Sequence, residues 1–247
     1  MKIFAANWKL NKNPKETREF FSEFTAHLSK GSFNSKNKIV IFPSAFCLES
    51  AFQATVGASE VLQLGAQNTY VEVKGAFTGE NSALVAKDIG AKWILIGHSE
   101  RRALFNEKDA LLAKKLKLTQ DIDLTPMFCI GETLEEREFG KTNEVLSKQL
   151  EQGLQTVDKQ KPIAIAYEPV WAIGTGKVAS IEQVKETHAF IRQKLNQMGL
   201  QSATPILYGG SVKAETSKEM IQISNVDGFL VGGASLEAHS FWQICQS

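Results

Sequence analysis

Cysteine is scarce in this sequence, and its positions argue against disulfide and metal chemistry. The 247 residues contain three cysteines, Cys47, Cys129 and Cys245, which are odd in number and widely spaced. They form no Cys-x-x-Cys pair and no zinc-type cluster, so we predict neither a disulfide framework nor a metal site. Because unpaired thiols are typical of a reducing compartment, we expect a cytoplasmic protein.

Long apolar runs and an excess of one charge are also absent. No stretch of about 18 apolar residues occurs, so we expect no membrane-spanning helix. The opening segment MKIFAANWKLNK has too few apolar residues before Asn7 for the core of a secretory signal. Lysine and arginine total 28 against 27 aspartates and glutamates, a net charge of +1, with no basic block for nucleic-acid binding. Neither nucleic acid nor a membrane is therefore an expected partner.

Eight short apolar runs recur along the chain, with longer amphipathic segments between them. This alternation predicts parallel strands joined by crossover helices. The runs start at residues 3, 38, 61, 93, 123, 163, 205 and 228, and read IFAAN, KIVIF, VLQLGAQN, WILIGH, DLTPMFCIGE, IAIAYE, PILYGG and GFLVGG. No linker rich in proline, glycine or serine divides the chain. We therefore predict an α/β fold with one domain over residues 1–247, a closed (β/α)8 barrel rather than an open doubly wound sheet.

The segment after the sixth run carries a clear helix signal. Ser180 and Gln183 are spaced as a capping box. An apolar stripe with spacings of 3, 4, 3 and 4 follows, and it consists of Ile181, Val184, His188, Ile191 and Leu195. Because His188 lies on this stripe, we predict a core or boundary histidine and not a ligand.

The stretch IAIAYEPVWAIGTGK, residues 163–177, places a carboxylate at a strand end and directly before an apolar run. In a (β/α)8 barrel the chemistry occurs where strands end. Glu168 would be partly desolvated by its apolar neighbours, which would make it a stronger base. Gly174 follows in a loop suited to backbone contact with an anion. The alternatives are a salt-bridged glutamate and an ordinary flexible loop.

Two further strand ends carry polar side chains. His98 ends the fourth run and precedes what looks like the first turn of a helix, SERR. A helix N-terminus disfavours the protonated imidazole, so we predict a neutral His98 that donates a hydrogen bond to a substrate oxygen. Asn7 and Lys9 end the first run and face the same side, where Lys9 would suit an anion. A simple helix cap at His98 and a solvated charge at Lys9 are the alternatives.

Glycine pairs follow the seventh and eighth runs, in LYGGSV at 207–212 and LVGGAS at 230–235. In barrels of this type the loops at these positions commonly bind phosphate through backbone amides. Either pair alone could be only a turn. Both pairs, together with Lys9 and Gly174 on the same face, predict a small phosphorylated ligand.

The motifs resemble those of the triosephosphate isomerase family, in order and across the whole chain: NWKLN, GAQN, GAFTGE, GHSERR, CIGE, YEPVWAIGTGK, YGGSV and DGFLVGGASL. The resemblance implies a TIM barrel that interconverts dihydroxyacetone phosphate and D-glyceraldehyde 3-phosphate in glycolysis and gluconeogenesis. It also implies an enediolate intermediate and no metal or organic cofactor.

The resemblance implies roles for the residues at matching positions. Glu168 would move the proton between adjacent substrate carbons, and His98 would polarise the carbonyl and enediolate oxygens. Lys9, with Asn7 beside it, would hold the phosphate and stabilise the developing anion, while Glu100 would orient these groups. The phosphate would be bound mostly by backbone N–H groups, those of Gly174, Ser211, Gly232 and Gly233. Residues 169–177 match the family's lid, which closes over the site and excludes water.

Residues 65–80, GAQNTYVEVKGAFTGE, resemble the family's long third βα loop, which reaches into a partner subunit. The resemblance implies a homodimer in which Thr78 approaches the partner subunit's Asn7 and the partner subunit's Lys9. A long surface loop without a partner is the alternative. Asn81 and Val178 depart from the family's common pattern, which affects the packing near this loop and the opening of the lid.

Two other functions remain open. The first is another phosphate-binding barrel enzyme of amino-acid or pentose metabolism, which would keep the glycine pairs but would not need Glu168 under a lid together with His98. The second is a barrel that only binds a partner after losing catalysis. Its sign would be a broken site, whereas here none of the expected catalytic positions is replaced.

Overall fold

Eight parallel strands pair in chain order, and the eighth returns to the first. The computed structural model describes residues 1–173, 178–200 and 203–247. The strands are β1 Ile3–Asn7, β2 Lys38–Phe42, β3 Leu62–Ala66, β4 Trp93–Ile96, β5 Thr125–Ile130, β6 Ala164–Tyr167, β7 Ile206–Tyr208 and β8 Gly228–Val231. The predicted α/β fold and the closed (β/α)8 barrel are confirmed.

Helices connect the strands on the outside of the barrel. Those in the described residues are α1 Pro14–Lys30, α2 Leu48–Thr55, α3 Ala83–Ile89, α4 Ser99–Leu104, α5 Asp109–Asp121, α6 Leu134–Glu138, α7 Thr142–Gly153, α8 Ile181–Gln197, α9 Ala214–Met220 and α10 Ala238–Cys245. The capping box of Ser180 and Gln183 starts α8 as predicted. His188 is fully buried on the α8 stripe, whereas Ile181 at its start is exposed. No helix in the described ranges is long and apolar enough to cross a membrane.

Apolar side chains fill both faces of the sheet. Alternate residues of β1 point in opposite directions, so that Ile3 and Ala5 belong to a core cluster of strand residues, whereas Phe4 and Ala6 pack in the layer that includes the helices. Burial on both faces explains why the strands read as continuous apolar runs instead of alternating ones. The polar residues that end the strands therefore meet at one mouth of a packed barrel.

Candidate active site

A cavity of about 260 Å³ opens at the carboxyl ends of the strands. Its lining brings together seven residues predicted from the sequence: Asn7, Lys9, His98, Glu168, Ser211, Gly232 and Gly233. Ile173, from the predicted lid, and Leu230, from the predicted LVGGAS loop, also line it, whereas Lys213 was not predicted. Gly174 and the rest of the lid centre, residues 174–177, lie outside the described residues.

Glu168 and His98 touch each other at the floor of this cavity. The carboxylate oxygen Oε1 of Glu168 lies 3.0 Å from Nε2 of His98, and both side chains are buried. The other oxygen, Oε2, accepts a hydrogen bond of 3.1 Å from the backbone N–H of Ser99, in the first turn of α4. The two groups are therefore close enough to act on one small molecule.

Two glycines permit this position of Glu168. A Cβ atom at Gly131 would lie 1.8 Å from the carbonyl oxygen of Glu168, and one at Gly209 would lie 2.9 Å from its Cγ. Any larger residue at Gly131 would overlap with the backbone of the neighbouring strand end. Glu168 thus lies between two loops whose glycines have no side chain where they approach its backbone and its Cγ.

The hydrogen bonds of His98 define which ring nitrogen carries the proton. Nδ1 accepts a hydrogen bond of 3.3 Å from the backbone N–H of Glu100, so in the neutral ring Nε2 carries the hydrogen and faces Glu168. Burial opposes protonation, but the carboxylates of Glu168 and Glu100 outweigh it and raise the pKa of His98 above its ordinary value. The position of His98 at a helix N-terminus, taken alone, predicted a lowered pKa. The difference arises from Glu168, which lies far away in the sequence.

Lys9 has an unusual backbone conformation that its neighbours hold in place. Its φ angle is +52°, in the left-handed region that L-residues rarely adopt. The Oδ1 atom of Asn7 accepts a hydrogen bond from the Lys9 N–H at 3.1 Å, and Gln67 donates one to the Lys9 carbonyl at 2.9 Å. The ammonium lies 2.6 Å from Oε1 of Glu100. The predicted link between Lys9 and Glu100 is therefore a direct ion pair, whereas the supporting role of Gln67 was missed.

The base of the lid, residues 169–173, is bound to the barrel through Glu132. One oxygen of this fully buried carboxylate accepts three hydrogen bonds, from Tyr167 Oη at 3.1 Å, Trp171 Nε1 at 3.0 Å and Arg137 Nη1 at 3.0 Å. The carbonyl of Ala172 accepts hydrogen bonds from both the N–H and the hydroxyl of Ser211. The Ser211 amide, a predicted phosphate donor, is thus engaged by the lid base in this conformation.

Thr78 lies apart from this cavity. It is exposed in a loop where the rings of Tyr70 and Phe77 pack at a tilt of 43°, with centroids 4.6 Å apart. Within one chain it lines neither this cavity nor the larger groove beside it, whose lining includes Leu10 and Phe46. In the part of the chain that the structure describes, no group of three or more histidine, cysteine, aspartate or glutamate side chains could hold a metal ion.

Comparison with known proteins places the chain in a family. The family model of triosephosphate isomerase matches residues 2–247. A triosephosphate isomerase of Bdellovibrio bacteriovorus is 57% identical over 243 residues, which cover 98% of each chain. One from Dictyoglomus turgidum is 45% identical over 251 residues, covering 100% of this chain and 99% of the relative. The geometry and the full-length similarity agree, and the chain belongs to the triosephosphate isomerase family.

Proposed function

We propose that this protein interconverts dihydroxyacetone phosphate and D-glyceraldehyde 3-phosphate, with Glu168 as the base and His98 as the electrophile. The observation that carries the proposal is the contact of these two side chains, 3.0 Å apart, in one cavity that Lys9 also lines. The cavity of about 260 Å³ is of a size suited to a three-carbon phosphate. The family membership supports the same substrate.

The reaction needs one proton to move between adjacent carbons. The Glu168 carboxylate removes the proton from the carbon next to the carbonyl, while the Nε2–H of His98 donates to the carbonyl oxygen. The resulting enediolate carries its negative charge on oxygen, near His98 and the Lys9 ammonium. The carboxylic acid of Glu168 then returns the proton to the neighbouring carbon, and His98 relays a proton between the two oxygens.

Substrate binding must first separate Glu168 from His98. In the free site the carboxylate is held by the Ser99 N–H and faces the imidazole. When it turns toward the substrate carbon, His98 loses the neighbouring charge that contributes most to its raised pKa. The neutral imidazole is then favoured, which is the form that donates from Nε2 without carrying a charge.

The phosphate is bound by Lys9 and by the loops after β7 and β8. A Cβ atom at Gly233 would meet no atom within 4 Å, so this backbone faces open space. The Ser211 amide can bind phosphate only after it leaves the Ala172 carbonyl, which couples phosphate binding to movement of the lid base. Gly174 supplies a further amide in this proposal. Closure would exclude water from the enediolate.

A coupled assay on both triose phosphates tests this function. The wild-type protein is expected to interconvert them, and Glu168→Gln is expected to lose about 100-fold to 10,000-fold in kcat, as is typical of a general base. Glutamine keeps the shape of the side chain and an acceptor for the Ser99 N–H, so binding of inorganic phosphate should persist. Unchanged turnover in Glu168→Gln would refute the assignment. Turnover only of a pentose or amino-acid precursor would favour another phosphate-binding barrel enzyme.

We also propose a homodimer, formed through an exposed apolar face beside the active site. The face consists of large side chains that are 55–97% exposed: Leu10, Phe46, Val85, Leu104 and Phe105. They line a groove of about 790 Å³ that also includes Lys9, His98 and Glu100. Exposed apolar patches of this kind mark protein interfaces. A two-fold axis would let the loop of Phe77 and Thr78 from each copy fill the groove of the other.

Light scattering and activity at several protein concentrations test the dimer. The wild-type mass is expected to be twice the chain mass of 27.2 kDa. Phe46→Glu should dissociate the protein and lower its activity, because Thr78 would no longer support the partner subunit's Lys9. Phe139→Glu is the matched control, since Phe139 is 70% exposed but does not line the groove. A fully active monomer, or a dimer that persists in Phe46→Glu, would contradict the proposal.

We infer a cytoplasmic protein whose residues 1–247 form one catalytic domain. The single closed barrel supports the one-domain assignment, because its first and last strands pair with each other. Three free, buried thiols support a reducing compartment. Cell fractionation that recovers the isomerase activity outside the cytosolic fraction would contradict this localisation.

A further inference from the structure

We propose that Lys213 is a second cation of the site, which attracts the substrate's phosphate to the open cavity without touching the reacting carbons. The inference rests on the proposed function and extends it to a residue that neither the glycine motifs nor the catalytic geometry singles out. Lys213 lies two residues after Ser211 and lines the same cavity as Lys9 and Glu168.

Lys213 changes the balance of charge around the cavity. Among the described residues, the lysine and carboxylate side chains that line it are Lys9, Glu168 and Lys213. Lys9 is already paired with Glu100 at 2.6 Å, so its charge is largely compensated before any ligand arrives. Without Lys213, and with His98 in its neutral form, the two carboxylates of Glu168 and Glu100 would face the single ammonium group of Lys9. A phosphate dianion would then approach a site of net negative charge.

The backbone of Lys213 is fixed while its side chain remains available. Lys213 precedes α9, and its N–H donates to the Thr216 hydroxyl at 3.4 Å, which in turn donates to the Lys213 carbonyl at 3.3 Å. The side chain is exposed, and no carboxylate among the described residues forms an ion pair with it. Its charge is therefore free to act on an incoming anion.

The expected effect is electrostatic and acts at a distance. Lysine carries a compact charge on a flexible stem, and charges remain effective over a screening length of about 8 Å at physiological ionic strength. A cation at the mouth of a cleft raises the capture rate and the affinity for anions, and this gain falls as salt is added. Because Lys213 does not contact the reacting atoms in this proposal, kcat should be spared.

Charge-removal variants at two lysines provide the test. Lys213→Gln is compared with Lys218→Gln, which removes the same charge from an exposed position on α9 that does not line the cavity. Lys213→Arg retains the charge. Two quantities are measured from about 10 mM to about 300 mM ionic strength, which spans weak to strong screening: kcat/KM for dihydroxyacetone phosphate, and the Kd of inorganic phosphate by calorimetry.

At the low end of this range we expect Lys213→Gln to lower kcat/KM about threefold to tenfold and to weaken phosphate binding by a similar factor. Its kcat should remain within about twofold of wild type, and the difference should shrink as salt rises. Lys213→Arg and Lys218→Gln should follow the wild type at every salt concentration.

Three results would overturn the role of Lys213. They are equal behaviour of Lys213→Gln and Lys218→Gln, a loss that does not depend on salt, and a loss confined to kcat. A wild-type protein inactive on triose phosphates would instead refute the proposed function. In that case the phosphate affinities of the same variants still decide whether Lys213 attracts the anion.

Discussion

Two buried histidines lie in contrasting surroundings, one at the mouth of the barrel and one in its wall. Nε2 of His98 faces Glu168 and its Nδ1 lies near Glu100, and these carboxylates raise its pKa despite burial. His188 is fully buried with Nδ1 at 2.9 Å from the Asn225 carbonyl, and burial lowers its pKa to about 4. Burial is common to both histidines; the difference comes from Glu168 and Glu100 beside His98, whereas the effect of Asp227 on His188 is opposed by Arg192.

In the part of the chain that the structure describes, the charges that act on His188 come from Arg192 and Asp227. These two groups form an ion pair with each other at 2.9 Å, so their charges offset one another. The rings of Tyr167 from β6 and Tyr208 from β7 pack against His188, at centroid distances of 5.8 and 6.3 Å. His188 therefore serves as an uncharged packing residue, whereas His98 lies where its charge state can follow the position of Glu168.

The largest expected difference between the two histidines is the loss of catalytic activity when each is replaced. We expect His98→Gln to lose about 100-fold to 10,000-fold in kcat, because it removes the group proposed to polarise the substrate oxygen. His188→Asn should keep kcat within about threefold, since asparagine can still donate to the Asn225 carbonyl. Steady-state assays on folded, purified variants measure both. Equal losses in the two variants would mean that the wall histidine also serves the reaction.

The second effect is on stability in acid. The unfolded chain protonates His188 near its ordinary pKa of about 6.5, whereas the folded chain does so only near 4. Between these values the unfolded state binds more protons, so the free energy of unfolding should fall as the pH drops from about 6.5 to about 4. The loss from this group is about 3 kcal/mol.

Urea unfolding at a fixed protein concentration and at several pH values measures this loss. His188→Asn should be less stable at neutral pH but should show a shallower decrease in acid than the wild type. His239→Asn, which removes an exposed histidine, is the control and should retain the wild-type slope. An unchanged slope in His188→Asn would show that the wall histidine does not resist protonation.

The smallest effect concerns the titration of His98. We expect Glu168→Gln to lower the pKa of His98 and Glu100→Gln to lower it by less, because the Glu168 carboxylate contributes more to the raised value. Histidine resonances followed by NMR across the pH range measure both shifts, and His188→Asn identifies the wall histidine. If neither substitution lowers the pKa of His98, the difference in pKa between His98 and His188 has another cause.

Local sequence patterns predicted the strands and most of the cavity lining. β1 and β2 have the predicted limits, and the other six strands lie within the predicted runs because burial on both faces leaves a continuous apolar signal. Asn7, His98 and Glu168 follow directly from the rule that strand ends meet at one mouth. Their detailed roles stay predictions, as do those of Gly174 and Thr78.

Contacts between segments far apart in the sequence could not be predicted from local sequence patterns. The hydrogen bond from Gln67 to the Lys9 carbonyl joins residues 58 positions apart, and Glu132 gathers donors from three places in the chain. The raised pKa of His98 has the same origin, because the helix N-terminus is visible in the sequence whereas the approach of Glu168 is not. Such features require the folded arrangement of the loops.

The near-contact at Gly131 has a consequence for how this protein can vary. A single methyl group there would lie 1.8 Å from the carbonyl oxygen of Glu168, the residue proposed as the base. In a library randomised at codon 131 and selected for growth that depends on the isomerase activity, almost all survivors should carry glycine. Gly140 is exposed and an added Cβ there would meet nothing within 4 Å, so this position should accept residues such as asparagine. Sequence changes at this end of the barrel should therefore be confined to the outer parts of the loops. The residues where the ends of β5 and β6 meet should stay unchanged.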